Sequence, residues 1–258
     1  MVKIAVAVNL YKGKQFLTLK SILGKTGIIL GSGLNKFSSE VSDKEIIFQD
    51  DSGFHNRKIY TGNINDNPVV IFEGRQHIYE GNTVDTVCLN VEKAGELDVD
   101  LLIITNAAGG INPVYEVGDL MIMTSHMNLM FKRSDESYRP YKSQYLNIIR
   151  DICSDNTIPV RYGTYCGVTG PTYETNAEIN FFRRAYADAI GMSTIHEIMR
   201  ANNLGISTIG ISCITNVLRY NNISKADHSE VVEAGKNSYT RFSLLLKTLI
   251  NNSNLFID

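Results

Sequence analysis

The chain has 258 residues, 43% hydrophobic and 20% charged, with a formal net charge of −2, a composition that suits a globular protein with a sizeable core. This balance excludes the basic field of a nucleic-acid binder and the polybasic patch of a membrane-surface protein. No apolar run approaches the roughly 20 residues that span a bilayer, and Cys88, Cys153, Cys166 and Cys213 lack metal-ligand spacing, so reduced thiols in a cytoplasmic setting are expected and a zinc site is not.

Residues 1–14 are mildly apolar without a small-residue cleavage site, and residues 1–25 read as an N-terminal strand or arm. Residues 26–30 read as a short strand ending in Gly31-Ser32-Gly33. A hydroxyl between two glycines at a strand end suits an oxyanion, although the third glycine of a dinucleotide fingerprint is missing. Residues 46–49, 58–62 and 68–72 read as antiparallel strands, with a turn over 63–67 and His55 in the loop before the second. Next comes EGRQHIYEG, residues 73–81, which sets Arg75, His77, Tyr79 and Glu80 at a strand end. Arginine offers a fork of donors suited to phosphate, and Glu80 is spaced to orient the His77 ring.

Residues 82–95 carry Val84, Val87, Cys88 and Val91 on one helical face. LLIITNAAGGINP, residues 101–113, is the stretch around which the chain is organised. Its continuous apolar run reads as a strand buried on both faces, stopping at a turn over 106–110. Alanines and glycines there let a ligand approach the backbone N–H groups, although such turns also serve packing alone. Residues 119–124 form another strand. Residues 128–143 read as an irregular surface loop or lid carrying Phe131 and Tyr138, and a helix begins over 144–151.

Residues 160–168 read as a strand followed by the turn GPTYET. Thr175 and Glu178 have capping-box spacing, so a helix starts there and runs to about 187, with Glu174 just before it. Residues 189–192 are a brief strand. Thr194 and Glu197 repeat the capping pattern, Gly205 stops that helix, and Ser193 sits at its positive end. Residues 206–215 are a strong strand leading to Asn216. Asp227 and Glu230 open an amphipathic helix to about 249 with His228 in its first turn, and residues 251–258 read as a fraying tail. Strands alternate with helices and no repeat or linker intervenes, so one α/β domain is expected.

Six motifs in this order carry a resemblance: GSGL at Gly31, EGRQHIYEG at Glu73, TNAAGGINP at Thr105, GPTYET at Gly170, IGMST at Ile190 and ITN at Ile214. The chain resembles the trimeric purine nucleoside phosphorylases from about Gly27 to Lys247, including KADHSEVVEAGK from Lys225. The resemblance implies a single α/β domain with a mixed sheet flanked by helices, a homotrimer, and reversible phosphorolysis of purine nucleosides. It needs no cofactor or metal, since inorganic phosphate is the co-substrate. By motif, phosphate is held by Ser32, His55, Arg75, His77, the Ala107 backbone and Ser193. Ribose is met by Tyr79, the Met192 backbone and His228. The base is met by Glu174 and Asn216, with Tyr173 against it. Asn216, Glu174 and His77 are the implied catalytic residues.

The sequence also departs from the family. His196 stands where proline is usual, and Tyr173 replaces a phenylalanine. The segment after the 119–124 strand is short, and Phe131 is the implied aromatic that crosses the trimer interface. Two rivals remain. A methylthioadenosine phosphorylase is expected to carry Asp at position 216 and to lack GPTYET. A non-catalytic nucleoside-binding protein on this fold is expected to have lost a phosphate or base residue.

Overall fold

The computed structural model describes residues 25–51, 56–130, 140–219 and 238–257. Its strands are β1 (Lys25–Ile29), β2 (Ser42–Asp50), β3 (Arg57–Ile64), β4 (Asn67–Glu73), β5 (Val99–Gly110), β6 (Leu120–Leu129), β7 (Arg161–Val168), β8 (Ala189–Gly191) and β9 (Ser207–Val217). The helices are α1 (Val84–Val87), α2 (Leu89–Glu96), α3 (Ser143–Asp155), α4 (Asn176–Arg184), α5 (Ile195–Asn203) and α6 (Tyr239–Asn251).

The strands form one mixed sheet in the order β2-β3-β4-β1-β5-β8-β7-β6-β9, and β9 returns to pair with β5 as well. Five strands therefore close on one another, while β1, β4, β3 and β2 extend from β5 as a wing. β1 lies parallel to both β4 and β5, and β2, β3 and β4 form an antiparallel meander. Asn65 and Asp66, at φ of 47° and 63°, make a two-residue turn between β3 and β4, tighter than the expected 63–67 span. Positive φ at both positions matches the twist of paired strands.

The apolar run at 101–104 serves two cores. Leu101 and Ile103 pack in a cluster with Tyr145 and Ile149 of α3 and Phe242 and Leu249 of α6. Leu102 and Ile104 join Val91 and Ala94 of α2 and Ile195 and Ile198 of α5. A strand covered on both faces needs apolar residues at every position, so the run is continuous. Each such side chain contributes roughly 1.5–3 kcal/mol by leaving water.

The strand expected to stop at Thr105 runs on to Gly110, because β9 lies parallel to it from Leu101 to Gly110 and pairs with its backbone. The small residues read as a turn are the slim end of a strand. β6 likewise extends to Leu129, opposite Val168, so the irregular stretch expected from Asn128 begins later. Phe131 and Tyr138 lie outside the described residues. The helix expected over 82–95 is broken at Cys88 into α1 and α2. The tail expected to fray is anchored instead: Ser253–Phe256 form a 3-10 turn, and the fully buried Phe256 ring meets Tyr145 edge-on at 5.5 Å. Lys25, counted with the N-terminal arm, opens β1. Residues 1–24 and the helix start at Asp227 lie outside the described residues.

Candidate active site

β1 and β5 run side by side only as far as Ile29 and Ile104, and β8 joins β5 only at Gly109. One edge of residues 105–108 is thus without a strand partner among the described residues, and a hollow opens there. Thr105 bridges the parting strands: its Oγ1 donates to the Ile29 carbonyl at 2.9 Å and accepts from the Gly31 N–H at 3.0 Å. A Cβ on Gly31 would lie 2.6 Å from the Asn106 Cα, so only glycine lets the Ser32 turn rest on β5.

Arg75 follows β4 and is 6% exposed. Its Nη1 donates to the Thr105 carbonyl at 2.8 Å, and its Nε sits 3.0 and 2.9 Å from the two carboxylate oxygens of the fully buried Glu197. The buried Nη2 has no partner among the described residues. An unused charged donor is expensive to bury, and an anion in the hollow is its natural acceptor. Nearby, the His77 ring is oriented by Glu80, with Nδ1 3.1 Å from Oε1, as the spacing implied. The Tyr79 ring stacks on it at 4.8 Å.

The GPTYET corner supplies the opposite wall. Gly170 has φ of 74°, and a Cβ there would meet the Met192 sulfur at 2.4 Å and Tyr79 at 3.2 Å. The absent side chain lets three separate segments meet. The expected capping box is complete: Thr175 Oγ1 accepts from the Glu178 N–H at 3.3 Å, and Glu178 accepts from the Thr175 N–H at 2.8 Å. Burial, with repulsion from Glu178, raises the Glu174 carboxyl above the usual range, while the Thr175 N–H and hydroxyl hold the exposed Glu178 below it. Near the end of β9, the Thr215 hydroxyl donates to Asn216 Oδ1 at 3.3 Å and so orients that amide.

The second capping box, expected at Thr194 and Glu197, is only half made. The Thr194 N–H favours the charged form of Glu197, but the Thr194 side chain makes no cap bond. Its hydroxyl instead accepts from Asn106 Nδ2 at 2.9 Å and lies 3.1 Å from Ser193 Oγ. A long-range partner, Arg75, has claimed the carboxylate.

The hollow is lined by Ser32, Arg75, His77, Tyr79, Ala107, Tyr173, Glu174, Met192, Ser193 and Asn216, drawn from all six motifs. His55 and His228 lie outside the described residues. A recess by Gly74 shares Ser32, Arg75 and His77 with it, while an open groove along Leu129 and Phe181 shares Tyr173 and Glu174. Arg75 therefore adjoins one neighbouring depression and Glu174 another. Thr215, Ile190 and Gly191 also line it and were not singled out, since nothing local separates a strand residue facing a hollow from one facing the core. Asn106, Ala108 and Gly109 fell within the stretch read for backbone contact. Among the described residues no cluster of three or more His, Cys, Asp or Glu stands ready for a metal, and no helix is long and apolar enough to cross a membrane.

Residues 25–251 match the family model of the phosphorylase superfamily. The chain is 34% identical over 247 residues to purine nucleoside phosphorylase 1 of Bacillus subtilis, covering 88% of this chain and 91% of that protein. It is 32% identical to the purine nucleoside phosphorylase of Rattus norvegicus, with 88% and 89% covered. Its fold is similar to the crystal structure of Schistosoma mansoni purine nucleoside phosphorylase in complex with inosine, at a TM-score of 0.78 and 29% identity over 89% of this chain and 90% of that one.

Proposed function

The chain belongs to the phosphorylase superfamily, among its purine nucleoside phosphorylases, and on that premise we propose that its hollow carries out reversible phosphorolysis of purine nucleosides to free base and ribose 1-phosphate. The observation that carries this reading is the buried Arg75, whose Nη2 has no partner among the described residues, in one hollow with Glu174 and Asn216.

In this reading phosphate rests on Arg75, Ser32, His77, Ser193 and the Ala107 N–H, with His55 a further contact. Ribose lies against Tyr79, the Met192 backbone and His228. As the C1′–N9 bond breaks, its electron pair leaves with the purine and C1′ becomes oxocarbenium-like. The phosphate dianion stabilises that charge, and one of its oxygens then bonds C1′ to give ribose 1-phosphate. Negative charge on the departing purine is met at N7 by the Asn216 amide, a preorganised dipole, and the proton that the phosphate gives up on becoming an ester ends on the free base. Glu174 accepts from the N1–H of a 6-oxopurine and Tyr173 stacks on the ring, which favours inosine, guanosine and their deoxy forms. Every step proceeds without a metal or covalent enzyme intermediate.

The protein is further proposed to act as a cytoplasmic homotrimer. Leu129, Tyr173 and Phe181, at 39%, 49% and 60% exposure, make an apolar rim beside the base end that a second copy would cover. Phe131 follows that rim in sequence and is the residue proposed to reach across. The buried free cysteines suit a reducing compartment. Sedimentation velocity tests the assembly, a monomer at micromolar concentration counting against it.

A coupled assay of inosine with inorganic phosphate tests the activity. Phosphate-dependent release of hypoxanthine supports the reading, and none above background sinks it. Faster cleavage of methylthioadenosine would favour the rival phosphorylase. Inosine binding without turnover would favour a non-catalytic protein.

A further inference from the structure

Glu197 poses an electrostatic puzzle. In a hollow read as taking a phosphate dianion, a fully buried carboxylate touches the guanidinium that should attract the anion. Charge alone makes Glu197 a liability, because in a low-dielectric site it offsets much of the attraction from Arg75. Geometry supplies the reason for its presence. Glu197 Oε1 accepts from Nε at 3.0 Å with Oε2 2.9 Å away, and the Thr105 carbonyl holds Nη1 at 2.8 Å. Two fixed contacts define the plane of a rigid guanidinium and thereby aim Nη2, the donor with no partner among the described residues.

The charged form of the same carboxylate is favoured by the neighbouring Thr194 N–H. Thr194 has φ of 77° and ψ of −44°, a conformation that β-branched residues rarely adopt and that surroundings must impose. Its hydroxyl is held by Asn106 Nδ2 at 2.9 Å and stands 3.1 Å from the hydroxyl of Ser193. Glu197 thus ties together the Arg75 loop and the Ser193–Thr194 corner, segments 122 residues apart along the chain.

We propose that Glu197 is a positioning residue for phosphate, holding the Arg75 guanidinium and the Ser193–Thr194 corner in one geometry without touching the anion itself. This rests on the phosphorolysis reading above. The test is calorimetric titration of inorganic phosphate into the full chain and its variants, paired with steady-state KM values for phosphate and inosine. Glu197→Gln should weaken phosphate binding roughly 10- to 100-fold, the scale of losing an outer partner of a ligating group, while the inosine KM stays near that of the wild type. Unchanged or tighter phosphate binding in Glu197→Gln overturns the proposal, since it would make the carboxylate an electrostatic burden only. Equal losses for phosphate and inosine overturn it too, because they would mark a general structural role. If Glu197→Gln does not fold, Glu197→Asp keeps the charge and shortens the reach, and its phosphate affinity should fall as well; wild-type affinity there overturns the proposal. Phosphate titration is read independently of turnover. An inactive wild type would count against the phosphorolysis reading, and the binding data would still judge Glu197.

Discussion

Glu80 holds His77 by both ring and backbone, with Nδ1 3.1 Å from Oε1 and the His77 N–H 3.0 Å from Oε2. The direction of the imidazole in the hollow is therefore set by a neighbour three residues away rather than by a ligand. Glu80→Ala should raise the phosphate KM by roughly tenfold, as for loss of an outer hydrogen-bond partner. The inosine KM should change little, and equal effects on both substrates would contradict the assignment.

Arg75→Ala should act twice. Losing a charged donor corresponds to about 1.5–3 kcal/mol, or roughly a 10- to 100-fold rise in the phosphate KM. Stranding the buried Glu197 carboxylate should also destabilise the fold by about 3–5 kcal/mol. Urea unfolding and phosphate kinetics measure the two separately, and an unchanged phosphate KM would remove Arg75 from the phosphate site.

Asn216→Ala should leave nucleoside binding largely intact and lower kcat by roughly 10²- to 10³-fold, the scale of losing one preorganised transition-state dipole. Single-turnover measurements with inosine check this. Wild-type turnover would refute the leaving-group role.

The Glu174 carboxyl, raised above its ordinary 4.5 by burial, gives a pH dependence of defined sign. Only the ionised form accepts the purine N1–H, so acidification through the raised value protonates it and the inosine KM should climb. Glu174→Gln should flatten that acid limb. Stability moves the opposite way. A carboxyl raised in the folded state contributes stability that is complete below its unfolded value and is lost as pH rises through the folded one. The ligand-free protein should thus gain from this group on acidification while inosine binding weakens. Paired KM and thermal-unfolding series over one pH range test both, and an acid-insensitive KM would contradict the assignment.

Phe256→Ala should cost about 3–5 kcal/mol, as for truncating a fully buried aromatic ring, because Phe256 seals the cluster beside Tyr145. Urea unfolding should register the loss while phosphorolysis persists in the folded fraction. A variant as stable as the wild type would mean that the tail frays after all.

Much of the hollow was legible because its residues lie in short motifs at strand ends. Thr175 and Glu178 form the expected box because both partners sit within one turn of helix. Thr194 and Glu197 have the same spacing and fail to complete it, because Arg75 and Asn106 compete for their side chains from elsewhere in the fold. Asn106–Gly110 misled for a related reason: small residues have the local character of a turn, yet β9 lies alongside and keeps them in a strand. The fully buried Phe256 ended in the core although its Asn-rich surroundings read as solvent-exposed.

The sequence by itself determined the order of strands and helices, the continuous apolar run of a doubly covered strand, and the residue types gathered at strand ends. These follow from local backbone preference and from side-chain periodicity, which operate within a few residues. Only the tertiary structure decided that β1 parts from β5 at Ile104, opening the hollow, and that Glu197 pairs with Arg75. Both outcomes depend on groups far apart along the chain, whose pairing is settled by packing and by the cost of leaving a buried charge or backbone group without a partner.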